Sequence, residues 1–235
     1  MNRHFLFKAF RDVTSDPRDI RFLAEICDKF SHVEAGIRRF DAVEPALRPK
    51  EAHVAAKTLL RSGWKRIGVP DSDIQNVGEH TDGCLIIADY LSDAGTPLHT
   101  HLIQMLTVHD NITEPVTGDF TPHDPIQRHE KSRLENLVMR FMMAGTPNGY
   151  IQTALLTEFE DGITPTAQLA NDIDKLEMCA QAGIYGKRYP HMKEKLDEFW
   201  DYAKPRMKTL LGRAYYLTLK STKTLDSMDR NPPSP

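Results

Sequence analysis

Leu23, Ile26, Phe30, Val33, Ile37 and Phe40 follow one another at alternating three- and four-residue steps. That spacing draws a single apolar stripe along one face of a long helix, and the stripe must be buried to be stable. Burial against the chain's own domain is favoured over a seam between two copies, which would make the protein a homodimer. Asp16 followed by Pro17 marks the start of this helix, because a short polar side chain caps orphan N–H groups and proline is tolerated in the first turn. The same period governs almost every other apolar segment, and no stretch of alternating apolar and polar residues is long enough to argue for a sheet. The expected fold is all-α.

After a turn around Val43–Pro49, Glu51–Arg61 reads as helix, and Gly63 to Ser72 as an irregular, punctuated segment. Helices are expected near Val77–Leu91, Leu98–Asp110, Arg128–Met143, Ile151–Phe159, Thr166–Ile184 and Lys193–Thr218. Thr113–Pro125, rich in Pro, Thr, Gly and Asp, reads as a loop. The implied organisation is a helical N-terminal extension at 1–47, a helical bundle at 48–218, and a polar tail at 219–235 that is expected to be disordered.

The formal net charge is −3 and the 30 Lys and Arg residues are scattered. Binding a nucleic-acid polymer requires a basic stripe to neutralise phosphates, so that class of partner is excluded, whereas a small phosphorylated substrate needs only a few local cations. The three cysteines, Cys27, Cys84 and Cys179, lie far apart with no C-x-x-C pair, which suggests neither a disulfide framework nor a thiolate zinc site and fits a reducing cytoplasm. No signal-peptide core opens the sequence, and apolar runs such as Cys84–Ala88 are far too short to span a bilayer.

The histidines carry the chemical information. Of the 10, His4, His32, His53 and His191 fall on polar or mixed helical surfaces and need no function. His80 shares a face with Val77, Cys84, Ile87, Ala88 and Leu91, so it points inward. His109 completes the face of Leu98, Leu102, Met105 and Leu106, and Asp110 comes directly after it. A buried histidine or aspartate is costly unless paired. These residues either satisfy one another by hydrogen bonds or ligate a metal through neutral imidazole and carboxylate oxygen.

Their order and surroundings resemble the HD-domain metal-dependent phosphohydrolases, in particular the branch of bacterial 5′-deoxynucleotidases and their eukaryotic relatives. The matching pieces are Arg61-Ser62-Gly63-Trp64, Asn76-Val77-Gly78-Glu79-His80, Val108-His109-Asp110, and Glu114 with Thr117-Gly118-Asp119 and Pro122. His129-Glu130-Lys131 and Asp174-Lys175-Leu176-Glu177-Met178 with Gln181-Ala182 complete the series. The resemblance runs from about Thr58 to Tyr185. It implies an HD-domain bundle in which His80, His109, Asp110 and Asp174 hold one divalent transition metal (Mn, Co, Fe, Ni or Zn). Periodicity alone does not choose between Asp172 and Asp174; the motif match selects Asp174 and leaves Asp172 as a solvated helix residue.

The same resemblance implies hydrolysis of nucleoside 5′-monophosphates or similar small phosphate esters, with Asp110 orienting the attacking water and Glu114 as acid–base group. Arg61 or Arg66, near Trp64, would receive the phosphate as a bidentate donor, with Lys65 and Lys131 as weaker candidates. Asp119 would cap a turn or line the substrate pocket, and Gly118 would supply unusual backbone angles.

The chain departs from the family pattern at two places. His109-Asp110-Asn111-Ile112-Thr113-Glu114 holds one residue more between aspartate and glutamate than the usual His-Asp-x-x-Glu. Either the loop bulges to restore Glu114 or the acid–base role is weakened. Gln75-Asn76 stands where relatives often carry Glu-Ser. Two other readings remain: an HD-type di-iron oxygenase, which would need His123 and His129 as extra ligands, and a catalytically weakened nucleotide- or partner-binding protein.

Overall fold

The computed structural model describes residues 3–228. Among them the chain is helical, with a single isolated bridge pairing Leu60 with Asn76. The α-helices are α1 (Arg3–Ala9), α2 (Pro17–Lys29), α3 (Ser31–Asp41), α4 (Arg48–Ala56), α5 (Ser62–Ile67), α6 (Val77–Leu91), α7 (Pro97–Val108), α8 (Glu114–Thr117), α9 (Arg128–Met143), α10 (Gly149–Asp161), α11 (Pro165–Arg188), α12 (Lys193–Ala203) and α13 (Leu210–Met228). No helix among the described residues is long and apolar enough to cross a membrane. The chain divides into two compact units, Met1–Thr81 with Thr107–Asp161, and Asp82–Leu106 with Gly162–Pro235.

In the first unit, the expected long N-terminal helix is two helices. Phe30 takes φ −130° and ψ 89°, closes α2 through its N–H to the Ile26 carbonyl, and turns the chain into α3. All six residues of the stripe are buried in this arrangement, against the chain itself. Asp16 caps α2 by accepting the Arg18 N–H, with Pro17 in the first turn. Phe10 stacks on Phe141 of α9 at 4.9 Å between ring centroids. Arg48 is buried and donates to the carbonyls of Phe40 (2.9 Å) and Phe141 (3.0 Å), which ties the end of α3 to α9. The unit's other principal packings set α9 on α10 and seat the short α8 on α3, α4 and α9.

The second unit is built on α11, against which α12 and α13 pack. Thr164 caps α11, accepting the Ala167 N–H, with Pro165 at its first position. The single helix expected over Lys193–Thr218 is interrupted. A 3-10 turn at Lys204–Arg206 carries Pro205, which offers no N–H, and Met207 is extended at φ −65° and ψ 116°. The next helix runs to Met228, so the polar tail expected from 219 is helical over 219–228, and residues 229–235 lie outside the described part.

Asp172 is not the solvated residue the sequence suggests. It is fully buried, and its carboxylate accepts the N–H groups of Lys208 and Thr209, both at 2.8 Å, and the Thr209 hydroxyl at 2.7 Å. The first N–H groups of a helix have no partner within the helix itself; Asp172 serves the turn that opens α13.

Candidate metal centre

The segment Asn76–His80 is a helix start. The Asn76 N–H donates to Glu79 Oε2 and the Glu79 N–H donates to Asn76 Oδ1, both at 2.9 Å. This reciprocal capping box fixes the first turn of α6 and sets His80 immediately after it. Upstream, Val77 N–H donates to the Leu59 carbonyl (2.9 Å) and Arg61 N–H to the Gln75 carbonyl (3.1 Å), so the two motif segments are laced side by side.

His109 and Asp110 lie in the turn just past α7. His80 is fully buried and His109 is 2% exposed. His109 Nε2 is 3.2 Å from Asp110 Oδ2, and His80 Nε2 is 3.6 Å from the same oxygen. The two imidazoles meet edge to face at 5.8 Å between centroids, and Phe159 covers His109 at 5.0 Å. Two imidazole nitrogens and a carboxylate oxygen, all within 4.8 Å of one another, form a donor set of the type that takes a divalent transition metal. The residues present fit such an ion. Asp174 lies on α11 of the second unit, part-buried, with its Oδ2 3.5 Å from Lys175 Nζ.

The residues from Asp110 to Glu114 wind helically. Glu114 N–H donates to the Asp110 carbonyl at 3.1 Å, and the Thr113 hydroxyl reaches back to the His109 carbonyl at 3.4 Å. The region expected to be a loop therefore contains α8, with Glu114 as its first residue, and Asn111 through Glu114 are all buried. Burial pushes the Glu114 carboxyl well above the usual range, and the negative charges of Asp110 and Asp119 push the same way, against Lys131 and Arg61. Its Oε2 is buried with no hydrogen-bond partner among the described residues. Burial and the neighbouring carboxylates both favour the protonated form of this carboxyl.

Gly118 ends α8 at φ +81°, a conformation that suits glycine. Asp119 then accepts the Ser62 N–H and so caps the N-terminus of α5. On α5, Trp64 is buried with its indole Nε1–H directed at Gln75 Oε1 (3.4 Å), whereas Lys65 and Arg66 are exposed. Of the two candidate arginines, Arg61 is the one whose charge reaches Glu114. Lys131 is placed more centrally than its sequence context suggests: it lies 3.3 Å from the buried Glu135 and feels Glu114 and Asp110. Glu135 is a member of the site that sequence reasoning misses; a lone carboxylate one turn after a lysine is ordinarily a solvated pair. His123 and His129 are exposed, and neither belongs to a metal-binding group among the described residues.

The pattern of the HD-domain family matches residues 55–213. A 5′-deoxynucleotidase of the HDDC2 type from Dictyostelium discoideum is 34% identical over 181 residues, covering 70% of this chain and 91% of that protein. The 5′-deoxynucleotidase hdd1 of Schizosaccharomyces pombe is 28% identical over 150 residues, covering 61% and 74% of the two chains. Among solved structures, the PH0347 protein of Pyrococcus horikoshii superposes with a TM-score of 0.61 at 25% identity, over 76% of this chain and 99% of that one. With a matched core that takes in His80, His109, Asp110 and Asp174, this chain belongs to the HD-domain family.

Proposed function

We propose that this chain is a metal-dependent phosphohydrolase that releases phosphate from nucleoside 5′-monophosphates, deoxynucleotides foremost. The observation that carries the reading is the buried His80–His109–Asp110 donor set with the buried carboxyl of Glu114 four residues further on. The 5′-deoxynucleotidase names of the two relatives support the substrate class. Asp174 completes the ligand set in this reading, on the strength of the Asp174–Met178 motif. The metal is one of Mn, Co, Fe, Ni or Zn, since imidazole and carboxylate ligands suit each of them.

A divalent ion held there lowers the pKa of water and neutralises phosphoryl oxygens. Asp110 orients the attacking water. As its oxygen bonds to phosphorus, the bond from phosphorus to the nucleoside O5′ breaks, Glu114 gives its proton to that leaving oxygen, and a proton shed by the attacking water restores the acid. Arg61 and Lys131 balance the charge of the phosphate, and Asp119 holds α5, with Trp64, beside the segment that carries Glu114. A cytoplasmic location belongs to the same proposal and is supported by three buried cysteines that form no disulfide among the described residues.

The exposure of His123 and His129 favours hydrolysis over di-iron oxidation, which needs further buried ligands. The test is phosphate release from a panel of ribo- and deoxynucleoside monophosphates with each divalent metal, comparing wild type with His109→Ala. Metal-dependent release that the variant lacks is the expected result. Silence of the whole panel with every metal would overturn the proposal, and about two irons per chain would turn it to oxidation.

A further inference from the structure

The segment that carries Glu114 and Asp119 is gripped from outside the family core. α8 packs on α3, which lies entirely before the family match beginning at residue 55. The approach is closest at Gly36, where a Cβ would overlap the Val116 carbonyl and stand 2.9 Å from Val116 Cα. Only a residue with no side chain lets the two backbones meet this way. One turn earlier on α3, His32 Nε2 lies 2.9 Å from the Thr117 carbonyl. A carbonyl only accepts, so Nε2 carries the proton and donates.

The His32 ring is itself held in an aromatic cluster, 5.9 Å from Phe30 and 5.5 Å from Phe120, with Phe30 and Phe120 edge to face at 5.0 Å. Gly118 makes room for it, since a Cβ at that position would stand 3.0 Å from the imidazole. Every contact lands between Val116 and Phe120, the short stretch between the acid and the Asp119 cap. The C-terminal end of α8 is thereby fixed, and a helix of four residues has no other length in which to absorb a shift.

We propose that Gly36 and His32 are positioning residues for catalysis: the α3 contact seats α8 and thereby sets where the Glu114 carboxyl points. The inference rests on Glu114 as the proton donor of the reaction proposed above. It gives the N-terminal extension a role in turnover, rather than in covering the fold or pairing two copies.

The experiment is a double-mutant cycle on the full chain, with deoxynucleoside monophosphate as substrate and metal content and thermal unfolding measured for every variant. Gly36→Ala is expected to lower kcat by about tenfold or more, since small misplacement of a catalytic group is costly, with KM within about twofold of wild type. His32→Ala is expected to lower kcat by about two- to fivefold, and His32→Gln, whose amide also donates, to recover most of it. In a Glu114→Gln background both losses are expected to vanish, because the group they position is gone.

Folded, metal-loaded Gly36→Ala and His32→Ala with wild-type kcat would overturn the inference, as would losses that persist in full in the Glu114→Gln background. If Gly36→Ala fails to fold, the His32 pair decides alone. Wild-type kcat in Glu114→Gln itself would instead overturn the acid–base assignment, so the two failures are distinct.

Discussion

Lys131 Nζ lies 3.3 Å from Glu135 Oε1 across one turn of α9, with Glu135 buried and Lys131 half-buried. Burial dominates the acid's behaviour. It pushes the Glu135 carboxyl up to about 7, with Glu160 and Asp110 adding to the rise and Lys131 opposing it. A carboxyl whose folded value lies above its unfolded value contributes stability that is complete below about pH 4.5 and is lost as pH rises through about 7. Glu135→Gln, which mimics the protonated acid, is expected to match wild type in melting temperature near pH 4.5 and to exceed it by several degrees at pH 8. Thermal melts of the metal-free protein across that range are the check, and an unchanged difference between the two proteins would contradict it.

The neighbouring aspartates of α11 are expected to separate cleanly. Asp172→Ala leaves the donors at Lys208 and Thr209 without their acceptor and is expected to cost about 1–3 kcal/mol of stability while metal binding persists. Asp174→Ala is expected to retain the fold and, if Asp174 completes the ligand set as proposed, to lose metal affinity by about 10²-fold or more. Denaturant unfolding and metal titration on the two variants read the contrast; a reversed pattern would exchange their roles.

Arg48 offers a third test. Its guanidinium donates to two carbonyls, of Phe40 and Phe141, and lies 4.2 Å over the Phe141 ring. Lysine cannot reproduce two such bonds from a planar fork. Arg48→Lys is therefore expected to destabilise by about 1–3 kcal/mol, nearly as much as Arg48→Met, measured by denaturant midpoint.

Glu114→Gln is expected to lower kcat by about 10²-fold or more with little change in KM, since in the proposed reaction it removes a proton needed only as the leaving oxygen departs. The substitution keeps shape and burial, so the melting temperature should hold or rise. A substrate whose leaving group needs no proton, such as a nitrophenyl phosphate, is expected to lose much less. Equal losses on both substrates would argue against an acid.

The sequence is most legible where a local rule acts alone. The bounds of Arg128–Met143 and Val77–Leu91 can be read from it because a cap and an apolar stripe agree there, as at the Asn76–Glu79 box. The histidines are readable because inward-facing polar groups conflict with their surroundings. The corner at Phe30 is not, since no proline or glycine marks it and the stripe on either side keeps a single period. Asp172 and His32 look like solvent residues because their partners lie 36–37 and 85 positions away. Pairings of that reach arise from tertiary packing rather than from any local pattern.

Phe10 on Phe141, Arg48 on Phe141 and Gly36 on Val116 all join the stretch before residue 55 to the matched region. Shared ancestry and independent folding are thus divided at different points along this chain. A fragment trimmed to the matched stretch would bare the greasy flank of α9 and leave α8 unsupported, and its natural fate is clumping and rapid digestion by proteases. Anyone isolating the catalytic core should keep the chain from its first helix onward.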